Sequence, residues 1–229
     1  MTVERATGRL TTTSYAILGL LSVQPWPAYE LTSQMKRGMR FTWPRAETRI
    51  YQEPKNLVTQ GLARARVEMN GRRSRTIYSI TPRGRAALRR WLVEPSAPPQ
   101  FECEALLKTT FADEGTKESL LATLRGLQAE AGSHYEQLGR QVEDYLATGG
   151  PFPERLHLIA LIGKFIHEHL AQLERWARWA EAQVETWPDV GPASQVPIPR
   201  EVFEEILQAA QAHRPRKPVE TTATLRPRH

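Results

Sequence analysis

The sequence predicts a mainly α-helical protein in which a small mixed module is followed by a pair of long antiparallel helices. Two observations predict this class. The first 95 residues show helical and strand patterns in the order α-α-α-β-β-α, and two long stretches of helical periodicity come later. A Pro-rich break at residues 93–100 separates the two parts.

The first two helices are predicted from their caps and their apolar spacing. Residues 11–21 open with Thr and Ser and continue with apolar residues three and four apart, so a short buried helix ending at Ser22 is expected. After a turn, Pro27 suits the first position of a second helix over residues 27–37, and Gly38 suits its C-cap.

A third helical stretch covers residues 45–59, with Ile50, Leu57 and Val58 as inward candidates. Pro54 lies inside this stretch. Proline removes one backbone hydrogen bond and crowds the carbonyl four residues earlier, which costs about 3 kcal/mol in a regular helix. We therefore expect a kink or a loosened turn at Pro54.

A β-hairpin and a fourth helix complete the module. Two short runs, residues 62–69 and 75–80, alternate in character. Asn70-Gly71 between them is a strong hairpin signal, because both residues tolerate the positive φ that tight hairpin turns need. A fourth helix is expected directly after Thr81, which suits its N-cap.

This order of elements describes a winged helix-turn-helix, in which the third helix enters the DNA major groove and the hairpin tip reaches the neighbouring backbone. The formal net charge of +6 divides into +11 for residues 1–95 and −5 for residues 96–229, so a polyanionic partner is expected for the first part only. The alternative is a solvated basic surface without a partner. The DNA-binding candidates on the third helix and the hairpin tip are Arg45, Arg49, Lys55, Asn56, Arg72, Arg73 and Arg75.

The second part is predicted to dimerise. After a short helix over residues 102–112, helical patterns over residues 116–147 and 153–186 form a hairpin about 50 Å long. Such a hairpin cannot bury both apolar stripes within one chain, so a second copy is the expected partner. The candidate dimerisation residues are Leu106, Phe111, Phe165, Ile166, Leu170, Leu173, Trp176 and Trp179.

The predicted domains are therefore a winged helix over residues 10–95, a helical dimerisation domain over residues 101–187, and a tail over residues 188–229 with a linker, one short helix and a disordered basic end. The single cysteine excludes an internal disulfide and a Cys-cluster metal site. We expect no secretory signal and no membrane span, because no apolar run is long enough, and hence a cytoplasmic protein.

Three stretches then carry a family resemblance: SYAILGLLSVQPWPAYELTSQM, RIYQEPKNLVTQGLARAR and RRSRTIYSITPRGRAALRRWL. Over about residues 12–95 they resemble the N-terminal domain of the PadR family of bacterial transcriptional regulators. The two long helices are similar to the C-terminal dimerisation region of its two-domain members. The resemblance implies a homodimeric repressor that binds an inverted-repeat operator in double-stranded DNA and is often released by a small-molecule inducer.

Several positions match the family motifs of the second helix, the recognition helix and the wing exit: Tyr29, Glu30, Ile50, Tyr51, Lys55, Leu57, Tyr78, Thr81, Pro82 and Gly84. The resemblance implies that the Tyr51 hydroxyl contacts a DNA phosphate; packing against the wing is the alternative. The family pattern has Pro directly after this Tyr, whereas Gln52 stands here and Pro54 comes two residues later. Which of Arg49, Gln52, Lys55 and Asn56 face bases therefore stays open.

The remaining candidates are weaker. Four tryptophans are candidates for a pocket that binds a flat aromatic or cationic inducer, although interface core is the favoured interpretation: Trp91, Trp176, Trp179 and Trp187. His167 and His169 point to different sides of a helix, and Cys103 lies between two glutamates that disfavour its thiolate, so neither a metal nor a redox role is expected.

No Gly-rich phosphate loop and no nucleophile elbow is present in the sequence, so neither an enzymatic activity nor a cofactor is predicted. A protein-interaction adaptor remains the rival function, since winged helices also serve as scaffolds and the long helices could hold a different partner. The adaptor hypothesis predicts a monomer that is indifferent to duplex DNA.

Overall fold

A computed structural model describes residues 10–39, 42–43, 50–70, 73–191, 194, 196–197 and 199–213. The chain divides into two compact units between Phe101 and Glu102. Within the described residues, no helix is long and apolar enough to cross a membrane.

The first unit contains four helices and three strands: α1 (Thr12–Val23), β1 (Trp26–Pro27), α2 (Ala28–Met39), α3 (Glu53–Thr59), β2 (Ala63–Asn70), β3 (Arg73–Ile80) and α4 (Pro82–Val93). This confirms the predicted mainly helical class with a winged-helix order. The strand β1 was not predicted, because a two-residue strand has no periodicity to detect. It starts the sheet β1-β3-β2 by pairing Trp26 with Tyr78.

The caps of α1 and α4 lie where the sequence predicts them. The Thr11 hydroxyl accepts a hydrogen bond from the Ser14 N–H, and the Ser14 hydroxyl accepts one from the Thr11 N–H, which forms a capping box. Thr81 caps α4 by accepting from the Gly84 N–H at 3.0 Å. These interactions satisfy backbone donors that a helix start leaves unpaired.

The predicted third helix is wrong over residues 50–52, and the irregularity expected at Pro54, a kink or a loosened turn, lies before the helix rather than inside it. Residues 50–52 form a turn and α3 begins only at Glu53. Pro54 therefore lies in the first turn, where its missing N–H has no helical partner to lose. Residues 45–49, the first part of the predicted helix, lie outside the described residues.

The hairpin of β2 and β3 is antiparallel, with Ala63 opposite Ile80 and Asn70 opposite Arg73. Asn70 is thus the last residue of β2 rather than part of the connection, which consists of residues 71–72 and lies outside the described residues. Successive residues of a strand point to opposite faces of the sheet, so Ala65, Val67 and Met69 lie on one side and Arg64, Arg66 and Glu68 on the other.

The second unit is helical: α5 (Glu104–Thr110), α6 (Lys117–Thr148), α7 (Leu156–Thr186) and α8 (Arg200–Ala212), with short 3-10 turns at Ala112–Glu114 and Pro153–Arg155. The two long helices are antiparallel, as side-chain contacts show. Lys117 Nζ donates to the Trp187 carbonyl at one end, and further along Tyr135 Oη donates to the His167 carbonyl at 2.8 Å.

An ionic cluster also joins α6 and α7. Arg125 Nε donates to Glu181 Oε1 at 2.5 Å, Arg125 Nη2 to Glu185 Oε1 at 3.1 Å, and Gln128 Nε2 to Glu181 Oε2 at 2.6 Å. The hydrogen bonds from Arg125 and Gln128 hold the pKa of the Glu181 carboxyl below its usual value. The same contact raises the pKa of the Arg125 guanidinium.

Candidate nucleic-acid interface

Three polar side chains at the start of α3 face outward. Ile50 and Leu57 are buried at 1% and 0% exposure, so they turn this segment's apolar side into the core. Tyr51, Gln52 and Lys55 therefore project to the surface, and Tyr51 is 68% exposed. An exposed phenol, amide and ammonium side by side can donate hydrogen bonds to phosphates and base edges.

The N-terminal turn of α2 adds a second aromatic to this unit's surface. Leu31 and Met35 are buried at 1% each and anchor α2 in the core. Tyr29 lies on the other side and is 82% exposed. Its exposed phenol can donate a hydrogen bond to a phosphate or a base edge.

The wing has one basic face. Arg64, Arg66 and Arg75 lie on the same side of the hairpin, with Glu68 among them. Arg66 and Arg75 both pair with this carboxylate, Arg75 Nη2 at 3.3 Å from Glu68 Oε2, yet the Arg66 and Arg75 side chains stay 77% and 46% exposed. Three guanidinium groups against one carboxylate on this face leave an excess of positive charge.

Arg64 and Arg66 were not among the predicted DNA-binding residues, because the wing candidates came only from the tip of the hairpin. The signal was present as alternation: in ARARVEMN the charged residues recur every second position, which puts them on one face of a strand. The other face of β2 carries Val67 and Met69, which are 68% and 71% exposed.

Four of the predicted DNA-binding arginines lie outside the described residues or at their edge. Arg45, Arg49 and Arg72 lie outside the described residues. Arg73 is described only as the first residue of β3, without its side chain.

Asn56 has a contact inside the protein that the sequence did not indicate. Glu53, only 8% exposed, places its carboxylate between α1 and α3. Ser14 Oγ donates to Glu53 Oε1, and Asn56 Nδ2 donates to Glu53 Oε2 at 3.1 Å. The half-buried Asn56 is therefore already engaged at its amide nitrogen. Glu53 gave no sequence signal, because a glutamate in a first helical turn usually faces water.

The base of the wing is joined to α4 through Thr81 and Gly84. Thr81 Oγ1 donates to the Gly61 carbonyl at 2.8 Å, and the Thr81 N–H donates to the Leu62 carbonyl at 3.1 Å. A Cβ added to Gly84 would lie 2.1 Å from the Leu62 carbonyl oxygen, so only glycine allows this approach. Gly61, with a φ of +70°, makes the turn into β2.

The eight predicted dimerisation residues differ in exposure. Phe111, Phe165 and Trp179 are exposed at 62%, 61% and 45%. Leu106, Leu173 and Trp176 are half-buried. Ile166 and Leu170 are buried at 9% and 3% within the single chain. They therefore belong to the seam of the hairpin, meaning the buried contact between its two long helices, rather than to its outer surface.

The four tryptophans considered for an inducer pocket occupy different places. Trp91 stacks on Tyr15 with ring centroids 4.8 Å apart, inside the first unit. Trp176 and Trp187 pack against the buried cluster of Leu120, Leu124, Ala180 and Val184 in the second unit. Trp179 is the most exposed of the three in that unit.

The weaker candidates also have local roles. Cys103 is half-buried at the N-cap position of α5. Phe165 stacks on His169 with centroids 6.1 Å apart, and His167 contacts Tyr135 through its backbone carbonyl.

Comparison with known proteins shows which proteins this chain is similar to. Residues 17–90 match the model of the transcriptional regulator PadR-like family. The first unit of the chain is therefore similar to PadR-like transcriptional regulators over these residues. A 99-residue stretch is 31% identical to the negative transcriptional regulator PadR of Bacillus subtilis, covering 42% of this chain and 54% of that protein. The sequence similarity thus spans about half the length of this curated relative.

Solved PadR structures share the fold. The crystal structure of Bacillus subtilis PadR in complex with operator DNA is similar with a TM-score of 0.64 and 22% identity, covering 76% of this chain and 99% of that one. The crystal structure of the same protein with p-coumaric acid gives a TM-score of 0.60 at 21% identity, again over 76% and 99%. At these identities the similarity shows the PadR-like fold and no more.

Proposed function

We propose that this PadR-like regulator is a homodimer that binds an inverted-repeat operator in double-stranded DNA and represses transcription. The observation that carries the proposal is the outward display of Tyr29, Tyr51 and Lys55 in the same unit as a basic wing face. No packing requirement explains why one unit exposes these three groups and also carries three arginines on one face of its strand pair. A polyanionic duplex satisfies all of them together.

Each element has a distinct role in the proposed complex. The start of α3 enters the major groove, where Lys55 and Gln52 address phosphates and base edges and the Tyr51 hydroxyl donates to a phosphate. The wing arginines Arg64, Arg66 and Arg75 neutralise neighbouring backbone phosphates. The similar PadR of Bacillus subtilis has been crystallised with operator DNA, which supports this use of the fold.

The second unit supplies the proposed dimer contact, over the domain predicted from residues 101–187. Exposed apolar side chains line α7 at helical spacing, with Leu158, Leu161, Ile162 and Phe165 all at least 46% exposed. Such a stripe on a long helix favours pairing with the same helix of a second copy. Two winged helices related by a two-fold axis would address half-sites one or two helical turns apart, about 34 Å per turn.

The proposal also includes repression of transcription and its release by an inducer. The 31% identical relative is named a negative regulator, and its crystal structure with p-coumaric acid shows that a relative with this fold takes up a small aromatic acid. We propose an inducer of small aromatic or cationic chemistry for this chain, bound near Trp176 and Trp179, and action in the bacterial cytoplasm.

The test is binding of the full chain to duplexes selected from a random-sequence library, followed by fluorescence anisotropy at several salt concentrations. The slope of log affinity against log salt should fall by about 0.9 for each phosphate contact removed. The triple variant Arg64→Ala, Arg66→Ala, Arg75→Ala should lower the slope by about 2 to 3.

A matched control removes the same charge from the second unit. Arg140, Arg175 and Arg178 are exposed on α6 and α7, so changing all three to alanine should leave the slope unaltered. A wild-type chain that selects no duplex and sediments as a monomer would contradict the proposal and support the adaptor hypothesis.

A further inference from the structure

In the buried contact between α1 and α3, one carboxylate accepts hydrogen bonds from two donors. Glu53 is 8% exposed and its two carboxylate oxygens are taken by two different donors, Ser14 Oγ and Asn56 Nδ2. An ionised carboxylate can only accept hydrogen bonds. Whatever approaches it must therefore present an N–H or an O–H.

This requirement decides which way the Asn56 amide points. An asparagine amide has a donor end and an acceptor end that are nearly equal in size, so packing alone does not select between its two orientations. The Glu53 carboxylate selects the orientation with Nδ2 inward, at 3.1 Å. Oδ1 is then the end left for a partner, and it accepts no hydrogen bond from any described residue.

Ser14 makes Glu53 a fixed point of the core rather than a mobile side chain. Ser14 is 0% exposed, and its Oγ accepts the Thr11 N–H at 2.8 Å within the cap of α1. A serine hydroxyl has one proton, and here it is donated to Glu53 Oε1. The cap of α1 and the first residue of α3 are thereby joined through one buried hydroxyl.

We infer that Glu53 is a positioning residue for base recognition, which holds Asn56 so that its carbonyl oxygen accepts from an exocyclic amino group of adenine or cytosine in the major groove. This inference rests on the proposed function, since it assigns a role within the DNA-reading helix. Asn56 contacts the base and Glu53 acts through Asn56. Glu53 adds no contact of its own to the duplex, because its carboxylate would be repelled by phosphates.

The experiment compares base preference with overall DNA affinity. The full-length wild type and the variants Glu53→Gln, Asn56→Ala and the double variant each select duplexes from a random-sequence library. Their affinities for the wild-type consensus and for its shuffled version are then measured at one salt concentration. Glutamine has the size of glutamate but presents both a donor and an acceptor, so it removes the selection of the amide orientation without opening a cavity.

We expect Glu53→Gln to lose about tenfold in the ratio of consensus to shuffled affinity, with the preference lost at one base pair of each half-site. Asn56→Ala should lose the same preference at the same base pair. The double variant should be no worse than Asn56→Ala alone, because Glu53 acts only through Asn56. Affinity for the shuffled duplex should stay within about twofold in all of them.

A control for carboxylate loss is Glu94→Gln, at the exposed end of α4, which should keep both the ratio and the preferred sequence. Thermal unfolding by circular dichroism identifies variants that have lost the fold. The inference is overturned if Glu53→Gln keeps its preference, or if the losses of the two single variants add. If the wild type prefers no sequence at all, the proposed function fails as well, which separates the two failures.

Discussion

The two units of this chain bury their apolar side chains to very different degrees. Of the large side chains that are fully buried in the described residues, nearly all belong to the first unit: Ile17, Leu18, Leu21, Leu31, Met35, Ile50 and Leu57. From the second unit only Leu124 reaches that state. The second unit instead exposes large apolar side chains along its helices: Leu107, Phe111, Val142, Leu146, Leu158, Leu161, Ile162, Phe165, Trp179, Phe203, Ile206 and Leu207.

The difference follows from how many elements surround each core. In the first unit, three other helices and the sheet contact α1 from several sides, so its apolar residues Ile17, Leu18 and Leu21 are buried. Two helices that pack side by side can bury only the stripe between them. The apolar side chains on the outer face of α7 therefore stay exposed in a single copy, whereas the exposed Tyr29 and Tyr51 of the first unit belong to the proposed DNA-reading surface.

Five glycines illustrate the difference between a packed core and an open helix surface. At Gly84 in the first unit, a Cβ would lie 2.1 Å from a backbone oxygen, so the site has no room for a side chain. In the second unit, Gly126, Gly132, Gly139 and Gly163 lie in the long helices with nothing within 4 Å of an added Cβ. Gly84 thus marks a close backbone approach in the first unit, whereas these four glycines of the second unit lie on open helix surface.

The largest expected effect comes from filling the closed site. Gly84→Ala should lower the free energy of unfolding by about 3 kcal/mol, because the new methyl group must displace the Leu62 carbonyl or the start of α4. Urea unfolding followed by circular dichroism measures this loss. Gly19→Ala is the matched control: Gly19 lies in α1 with nothing within 4 Å, so alanine should stabilise by up to about 1 kcal/mol. Equal urea midpoints for the two variants would show that the site of Gly84 does have room for a methyl group.

Two leucines on α6 compare a side chain buried between α6 and α7 with one on the exposed surface of α6. Leu124→Ala should destabilise by about 2 to 4 kcal/mol, because Leu124 is 0% exposed and its loss leaves a cavity in the seam. Leu146→Ala, at a site 83% exposed, should change stability by less than about 0.5 kcal/mol. Both are measured by urea unfolding at one protein concentration, since a dimer's stability depends on concentration. A large loss at Leu146 would show that this end of α6 is covered in the assembly.

The exposed stripe of α7 is tested by oligomeric state. Phe165→Glu should weaken self-association on the order of 100-fold, because a charge would be buried where an aromatic ring fits. Helix content should be unchanged, since Phe165 is 61% exposed in the single chain. Ala160→Glu adds the same charge roughly 140° around the exposed side of α7 and should leave association intact. Sedimentation velocity measures both, and an undisturbed Phe165→Glu dimer would remove this stripe from the interface.

The smallest expected effect concerns the ionic cluster between the long helices. The pKa of Glu181 is lowered by hydrogen bonds from Arg125 and Gln128, so its folded form binds a proton less readily than its unfolded form. Its contribution to stability is therefore present above the ordinary value of 4.5 and is lost as the pH falls through the lowered pKa.

Glu181→Gln should accordingly unfold at slightly lower urea than the wild type at pH 7, with the difference shrinking once the pH falls below about 4.5. The control is Glu136→Gln, whose partner Arg140 is 3.7 Å away on a well-exposed surface, and it should show little change at any pH. A Glu181→Gln difference that grows toward acid pH would have the wrong sign for this mechanism.

The sequence by itself determined the elements whose signals are local. The cap at Thr81, the alternation of the two wing strands and the long helical periods all appear within a few residues, because helix and strand propensities depend on near neighbours. The basic character of the first part, and the PadR-like motifs within it, were likewise legible without coordinates.

The tertiary structure alone decided where α3 starts and where Glu53 lies. Pro54 suits both a kinked long helix and the first turn of a short one, and only the packing of Ile50 and Leu57 selects the second. The contact between Ser14 and Glu53 joins residues 39 positions apart. No local pattern carries such a pairing, because it exists only once the core has brought α1 and α3 together.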